Sequence, residues 1–476
     1  MHLNKLLCVA GLVGVASPLP AQFPPLFPHS RTMDHLVADT SSDVLWRLAD
    51  RDQDGLFHSP GEITLAYDSA IGAFAWSSPG SLCVTNDGRV LIADGGNDTI
   101  YSLRDLNTDG DYHDAGEIVS FFDPANASGL VMLQAQGITV DTIGRVLVAV
   151  SQPGTGNSDQ ILLLQDLNLD GDANDAGEAS VFYNVPGASA GNAFSIPTRI
   201  LVGPDLAVYW NDVGTGSNQR GVWRLFDGNG NGNCNDPGEA VRFWNPNNSN
   251  PQYWSLAIDQ VGAFYVSDHV NDLVYRGVDL DASLSIDPSE QALFYQPPSG
   301  TTWWDLTVQD DGSLFLFNSD GTDTITRLVD LDADGTALGG GEAVEVYRAT
   351  SAAQTIDIRA ATVMRAPQLL LTPNSASVGT STQLYVRTTH PGDAVLSFVS
   401  LALVPPVSLP PYGQFELDPS LLILFDVGNS DAAGDYLTTI PVPFDFGLIG
   451  TYGVQSVCGD PFRAFLSNGT TMTLTP

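Results

Sequence analysis

Six acidic segments of related sequence recur between residues 50 and 342, and they constrain the fold more than any other feature. The second segment, residues 105–117, shows the pattern most fully and reads DLNTDGDYHDAGE. The first Asp residues of successive segments lie 51 to 61 residues apart. A period near fifty residues indicates repeated β units, because a helical repeat would be shorter and would show apolar residues every three to four positions.

Short runs typical of β-strands fill the space between the acidic segments. Residues 137–141, 145–150 and 118–122 are apolar or alternating, and turn residues such as Gly144 separate them. Each repeat holds four such runs, with the acidic segment between the third and the fourth. Four antiparallel strands per repeat predict the blades of an all-β β-propeller. The acidic segments are called loops one to six below and span residues 50–62, 105–117, 166–178, 227–239, 279–290 and 330–342.

The strand and turn pattern is similar to that of a known propeller class. The run GITVD at 137–141, followed by VLIAD at 90–94 and TIY at 99–101 in a neighbouring repeat, resembles NHL-type and gluconolactonase-like propellers over about residues 35 to 365. The resemblance implies a six-bladed ring. The acidic loops lengthen each blade beyond the usual NHL repeat. Such propellers include binding platforms, lyases and lactonases, so the resemblance transfers no activity.

The two ends of the repeat region complement each other. Residues 35–67 contain only the last three strands of a blade, and residues 355–363 form a single strand without a sheet. Pairing of these two pieces would complete a sixth blade from both chain ends. We expect this closure because it leaves no sheet edge exposed.

The flanking segments define the other domains. Residues 1–21 have a basic start, an eleven-residue apolar run and small residues near Ala21, which predicts a removable secretion signal, since the run is too short to span a bilayer. Residues 22–34 form a linker, and residues 35–366 form the propeller. Residues 367–476 contain short alternating strands separated by Pro and Gly, which predicts a C-terminal β-sandwich domain like those of exported bacterial surface proteins.

Composition restricts the partners. The chain has 55 acidic and 18 basic residues and a formal net charge of −37, which disfavours nucleic acid and anionic lipid surfaces. We expect a secreted monomer, extracellular or at the cell surface, without membrane insertion and with a glycan or an extracellular protein as ligand.

Calcium is the predicted cofactor. Carboxylates and amides at loop positions one, three and five, with Gly at position six, resemble EF-hand and dockerin-type calcium loops. The closing Glu lies at position thirteen instead of twelve, so Glu117 and Asp114 remain alternative ligands. An acidic turn held by side-chain to backbone hydrogen bonds is the competing interpretation.

The six loops should differ in their affinity for calcium. Loop four should bind weakly because it carries fewer carboxylates, and loop five should bind weakly because it lacks the third ligand and the Gly. The predicted metal ligands are Asp50, Asp52, Asp54, Asp105, Asn107, Asp109, Asp111, Glu117, Asp166, Asn168, Asp170, Asp172, Glu178, Asp227, Asn229, Asn231, Asp330, Asp332 and Asp334.

A second candidate site lies where the innermost strands begin, around the ring opening. Alignment of the repeats places Gly80, Gly137, Thr198, Ser255, Asp305 and Asp357 there. The predicted ligand-binding residues are Trp254, Trp303, Trp304, Asp305, Arg199 and Arg359. Indole rings beside charged groups suit a sugar, although packing of these Trp residues between blades is the alternative.

Two functional classes follow from the sequence. The first is a secreted, calcium-stabilised propeller that binds or adheres to a glycan or protein. The second is a metal-dependent lactonase-like or polysaccharide-lyase-like enzyme. The seven histidines are scattered, and we assign no catalytic residue. The aligned strand starts are mainly Gly, Thr and Ser, which favours the first class.

Overall fold

The computed structural model describes strands from Asp34 to Thr475. The described residues are 34–475 except 51–53, 86–88, 107–109, 142–143, 152–158, 169, 185–196, 204, 214–219, 245–251, 260–261, 298–302, 310–311, 320–322, 350–355, 365–367, 373–374, 378–379, 388–393, 401–402, 410–412, 418–421, 430–434, 442–449, 461–462 and 467–469. The predicted signal segment, residues 1–21, lies outside them. The chain divides into two compact units, with the boundary between Met364 and Arg365.

The described residues of the first unit form 24 strands. They are β1 (Asp34–Asp39), β2 (Val44–Ala49), β3 (Ile63–Asp68), β4 (Pro79–Val84), β5 (Val90–Asp94), β6 (Thr99–Leu103), β7 (Ile118–Phe122), β8 (Ala135–Val140), β9 (Val146–Val150), β10 (Gln160–Leu164), β11 (Ala179–Asn184), β12 (Pro197–Val202), β13 (Val208–Asp212), β14 (Gly221–Leu225), β15 (Ala240–Trp244), β16 (Tyr253–Ile258), β17 (Phe264–Asp268), β18 (Leu273–Gly277), β19 (Gln291–Tyr295), β20 (Trp303–Val308), β21 (Leu314–Asn318), β22 (Thr324–Leu328), β23 (Ala343–Arg348) and β24 (Ile358–Val363).

These strands form four-stranded antiparallel sheets. Sheet 1 has the order β24-β1-β2-β3, and sheets 2 to 6 are β4–β7, β8–β11, β12–β15, β16–β19 and β20–β23 in sequence order. Sheet 1 therefore combines strands from both ends of the unit. The described residues form strands and turns without an α-helix. The predicted all-β class and β-propeller architecture are confirmed at this level, and none of the described residues belongs to a helix long and apolar enough to cross a bilayer.

The first strand of each sheet lies against the first strands of two other sheets. The contacts follow the order β24, β4, β8, β12, β16, β20 and return to β24. Apolar side chains fill the space between neighbouring sheets: Leu91 and Val148 belong to one cluster, and Val37 and Phe315 to another. Alternating strand residues face the two neighbouring sheets, which is why both faces of the central strands are buried.

The second unit is built from two main sheets. Its strands are β25 (Gln368–Thr372), β26 (Ser375–Ser377), β27 (Ser381–Arg387), β28 (Ala394–Ser400), β29 (Leu403–Leu409), β30 (Gly413–Leu417), β31 (Ile423–Asn429), β32 (Asp435–Pro441), β33 (Gly450–Asp460), β34 (Arg463–Leu466) and β35 (Thr470–Thr475). One sheet is β25-β27-β32, the other is β26-β35-β33-β28-β31 with β34 paired to β33, and β29 pairs with β30. Leu384 and Val386 of the first sheet pack with Val395 and Val454 of the second.

Candidate functional site

A register shift occurs near the start of every innermost strand. In β4, for example, Pro79 pairs with Asp94 and Ser81 with the preceding Ala93, so Gly80 is an extra residue. The same shift occurs in β8, β12, β16 and β20, and between β24 and β1. Such bulges redirect side chains, and here they recur at one end of the ring. The redirected positions surround the ring opening.

The ring opening is a small concave site with about 30 Å³ of space accessible to water-sized groups. Every sheet except sheet 6 contributes a residue from its bulge, and sheet 6 contributes the adjacent Asp305. Strand starts that meet at one opening place side chains from distant parts of the sequence within reach of one ligand. The lining residues are Gly80, Gln136, Thr198, Arg199, Trp254, Asp305, Arg359 and Ala360.

Asp305 is held by hydrogen bonds from three sheets. Its Oδ1 accepts from the Ser255 hydroxyl at 2.8 Å and from the Leu306 N–H at 2.9 Å. Its Oδ2 accepts from the Ala361 N–H at 2.8 Å. The residue is 2% exposed, and a buried carboxylate requires such partners. Asp305 therefore ties sheets 5, 6 and 1 together below the opening.

Arg199 crosses the opening from sheet 4. Its Nη1 lies 3.2 Å from Asp305 Oδ2 of sheet 6, and its Nη2 donates to the Ala361 carbonyl oxygen of sheet 1 at 3.2 Å. Sheets 4 and 1 lie opposite each other in the order of strand contacts. The guanidinium group thus forms part of the floor of the site.

Arg359 and Trp254 complete the wall on which a ligand could lie. Burial lowers the pKa of the Arg359 guanidinium, whereas the Asp357 and Asp305 carboxylates raise it. Trp254 is half-buried, and its ring meets the His269 ring edge-on at 5.8 Å between centroids. Burial also lowers the pKa of His269.

The structure therefore brings together four of the six predicted ligand-binding residues: Arg199, Trp254, Asp305 and Arg359. The side chains of Trp303 and Trp304 lie outside the described residues. The packing alternative holds for other Trp residues, since Trp210 and Trp244 are each 1% exposed between sheets.

The sequence alignment of ring positions needs correction in three repeats. By strand register, the residues equivalent to Gly137, Ser255 and Asp305 are Ser81, Arg199 and Ala360 instead of Gly80, Thr198 and Asp357. The bulges cause the error, because one extra residue per strand is invisible in a hydrophobic pattern. With this corrected register, Arg199 and Asp305 occupy equivalent positions on their innermost strands, so their side chains can reach each other and form an ion pair.

The acidic loops share a second set of contacts. In all six loops the first Asp accepts a hydrogen bond from the N–H of the sixth residue through Oδ2, at 2.8 to 3.0 Å. The sixth residue has a positive φ in each loop, including Leu284 in loop five at 62°. This geometry favours Gly, which five loops have at that position. The Oδ1 atom of Asp166 is buried without a hydrogen-bond partner among the described residues, so it is available to a cation.

Two loops gather carboxylates closely enough to share a cation. The carboxylates of Asp330, Asp332 and Asp334 in loop six offer oxygen atoms within 4.8 Å of one another. Asp279, Asp281 and Glu290 do the same in loop five, although the sequence predicts weak binding there. Of the predicted ligands, Asp52, Asn107 and Asp109 lie outside the described residues. Loop four is held mainly by amide contacts: Asn229 and Asn231 both donate to Asp236, at 2.7 Å each.

The closing Glu of each loop is occupied by backbone N–H groups. Glu178, which is 3% exposed, accepts from Leu167 at 2.9 Å and from Asp175 at 3.1 Å. Glu117 and Glu342 accept from the equivalent positions on both sides of their loops. This arrangement makes the Glu a brace across the loop base, a role that the spacing of thirteen residues allows without a bidentate metal bond.

Each acidic loop also contacts the preceding sheet. The N–H of the eighth loop residue donates to a carbonyl oxygen of the outermost strand of that sheet, at 2.7 to 2.8 Å in all six cases. The eighth residue is at most 7% exposed. The sequence analysis missed this contact. The residue at position eight is apolar or aromatic in every loop, and such a residue within an acidic loop could have indicated that this position is buried. The pairs are Phe57–Val346, Tyr112–Ala66, Ala173–Phe121, Cys234–Phe182, Ile286–Phe243 and Ala337–Phe294.

Position nine adds a side-chain contact in loops two, three and four. His113, Asn174 and Asn235 accept from the backbone N–H of Asp68, Asp123 and Asn184, at 2.9 to 3.0 Å. The loops therefore link neighbouring sheets at the outer rim, while the innermost strands link them at the axis.

No family model matches the chain, and no curated protein matches it. Solved structures similar to it include a 6-phosphogluconolactonase described as putative from Bacteroides uniformis, with 14% identity, a TM-score of 0.44 and coverage of 86% of this chain and 100% of that one. Virginiamycin B lyase from Staphylococcus aureus has 15% identity, a TM-score of 0.35 and coverage of 76% and 95%. An aldose sugar dehydrogenase from Streptomyces coelicolor has 13% identity, a TM-score of 0.39 and coverage of 66% and 89%.

Proposed function

We propose that this chain is an exported, calcium-stabilised six-bladed β-propeller that binds a glycan, or an extracellular protein, at its ring opening. The convergence of Arg199, Trp254 and Arg359 on one concave site is the observation that carries the binding proposal. Export rests on the signal pattern of residues 1–21. The mature protein acts as a monomer outside the cell or at its surface.

The proposed architecture follows from sheet contacts. Six four-stranded sheets whose innermost strands meet in cyclic order support six blades, and the pairing of β24 with β1 supports closure of the ring from both chain ends. The two main sheets of the second unit, with apolar residues of both in one cluster, support a β-sandwich module.

Calcium would be held by the acidic loops. The converging oxygens of Asp330, Asp332 and Asp334 and the unpartnered Oδ1 of Asp166 fit a hard cation that prefers oxygen ligands. When bound, the ion neutralises carboxylates that otherwise repel one another. An ordered loop then keeps the backbone N–H of its eighth residue directed at a carbonyl oxygen of the preceding sheet. Because each loop makes this hydrogen bond, ordered loops stabilise the junctions between blades.

The site chemistry supports binding over metal-dependent catalysis at the axis. Among the described residues, the groups of three acidic side chains that could hold a metal lie in loops five and six. The opening instead presents Arg, Trp, Gln and Thr side chains around a single carboxylate, Asp305. Aromatic faces with directed polar groups are typical of sugar recognition.

A glycan-array screen of the mature protein in calcium tests the proposal. We expect binding of one glycan class, loss of that binding in Trp254→Ala, and retention in the matched control Trp223→Ala. Trp223 is also half-buried, but it stacks on Trp210 between sheets, 6.2 Å between ring centroids. Equal binding by both variants would place the ligand elsewhere and contradict the proposal.

A further inference from the structure

The ring opening offers more hydrogen-bond donors than acceptors. A guanidinium group carries five N–H donors and no acceptor. The described partners of Arg199 are two acceptors, Asp305 Oδ2 and the Ala361 carbonyl oxygen. Arg199 lines the opening, so its remaining donors are available to a ligand there.

The carboxylates near the opening are already engaged. Both oxygens of Asp305 accept hydrogen bonds, from Ser255, Leu306 and Ala361. Oδ1 of Asp357 accepts from the Ser319 hydroxyl at 2.9 Å. In a chain with 55 acidic and 18 basic residues, Arg199 and Arg359 balance the charges of Asp305 and Asp357 here, so the opening lacks the strong negative charge of the chain as a whole.

We propose that the ring opening selects a sugar that carries a carboxylate, such as a hexuronate, over a neutral sugar. The inference rests on the proposed glycan-binding function and names the chemical class of its ligand. A carboxylate supplies two acceptor oxygens to the guanidinium donors of Arg199 and Arg359, and planar pairing of this kind is directional. The face of Trp254 provides an apolar surface for the sugar ring.

The size of the site limits how much of a ligand can enter it. About 30 Å³ within the opening is accessible to water-sized groups, which is room for about two waters. A carboxylate group fits this space, whereas the sugar ring that carries it would lie across the mouth beside Trp254. Longer glycan chains would extend away from the mouth.

Titration calorimetry of the mature protein in calcium tests the inference with D-glucuronate, D-glucose and acetate. We expect glucuronate to bind at least tenfold more tightly than either of the others. Arg359→Gln should weaken glucuronate binding at least tenfold and weaken glucose binding by a clearly smaller factor. Arg145→Gln is the control, because Arg145 pairs with Asp141 at 2.6 Å outside the opening.

A second variant covers the case in which Arg359→Gln fails to fold. Gln136→Glu adds a negative charge at the bulge of β8, and we expect it to weaken glucuronate binding far more than glucose binding. Glucose binding as tight as glucuronate, or glucuronate binding indifferent to both variants, would overturn the inference but leave the glycan-binding proposal standing. Acetate as tight as glucuronate would indicate a simple anion site. Absence of any glycan binding in the array would remove the proposed function itself.

Discussion

The backbone N–H of Phe57 donates to the carbonyl oxygen of Val346 at 2.8 Å. Phe57 belongs to loop one of sheet 1, and Val346 to the outermost strand of sheet 6. These sheets also meet at the axis, where β20 lies against β24. Sheets 1 and 6 are therefore joined at both the inner and the outer edge, so the loop contact and the contact between β20 and β24 together stabilise the same junction.

Truncation of Phe57 should weaken this junction. The side chain is 0% exposed and packs in a cluster with Phe315 and Val346. Phe57→Ala should lower the free energy of unfolding by about 3–5 kcal/mol, because it leaves a cavity between two sheets. Urea unfolding followed by Trp fluorescence measures the change. Ile71→Ala is the control, since Ile71 is 72% exposed and should have little effect. An equal loss in both variants would contradict the assigned role of Phe57.

Removal of the closing strand should expose a sheet edge. A chain that ends at residue 366 retains β24, whereas one that ends at residue 350 leaves the edge of β1 that pairs with β24 without a partner. Unpaired strand edges promote association between chains. We expect the longer chain to elute as a monomer in size-exclusion chromatography and the shorter one to associate and to melt at a lower temperature. Monomeric behaviour of both, with equal melting temperatures, would refute closure by both chain ends.

Paired variants in loop three should separate a structural brace from a metal ligand. Glu178→Gln replaces one acceptor oxygen by an NH₂ group facing backbone N–H donors, which should cost about 1–3 kcal/mol both with calcium and with EDTA. Asp166→Asn should lower the melting temperature in calcium and have a smaller effect in EDTA, because the neutral side chain weakens ion binding. The melting temperatures of both variants, measured in calcium and in EDTA, distinguish the structural brace from the metal ligand. The assignment is wrong if the effect of Glu178→Gln depends on calcium.

Asp426 should make the second unit sensitive to pH. Burial raises the pKa of this carboxyl above 3.8, and the hydrogen bond from the Tyr436 hydroxyl, 2.7 Å long, partly opposes the shift. The folded state therefore binds the proton more tightly than the unfolded state, and stability falls as pH rises through the raised pKa. Asp426→Asn should slow hydrogen exchange in residues 423–429 near pH 7, with the difference vanishing in acid. A difference that grows in acid would reverse the sign and contradict this account.

The all-β class and the four-stranded sheets of the β-propeller could be predicted from the sequence for a physical reason. Turn residues and alternating apolar residues encode each strand locally, and the missing first strand before His35 was visible as an incomplete repeat. The four residues Arg199, Trp254, Asp305 and Arg359 were predicted because strand starts converge in any such ring. Their exact positions along the innermost strands could not be predicted, because a bulge such as that at Gly80 shifts the strand register without changing the pattern of apolar residues.

Contacts between repeats were harder to predict. The hydrogen bond from Ala173 to Phe121 is made by backbone atoms, which no side-chain pattern records directly. The sequence left the closing Glu and the preceding Asp as alternative metal ligands, whereas Glu178 accepts hydrogen bonds from backbone N–H groups on both sides of its loop. The local sequence therefore predicts the position of each loop, whereas the contacts between a loop and the preceding sheet become visible only in the folded structure.

Calorimetry of the mature protein with and without calcium tests the central claim most directly. If the acidic loops hold calcium in the folded state, the melting temperature should rise with calcium concentration, since each site adds about 2.7 kcal/mol at a hundredfold excess over its dissociation constant. The double variant Asp330→Ala/Asp334→Ala should lose one site's share of the rise, whereas Glu345→Gln, an exposed acid outside the loops, should lose none. An identical melting temperature in EDTA and in millimolar calcium would show that the loops are acidic turns and would contradict the account.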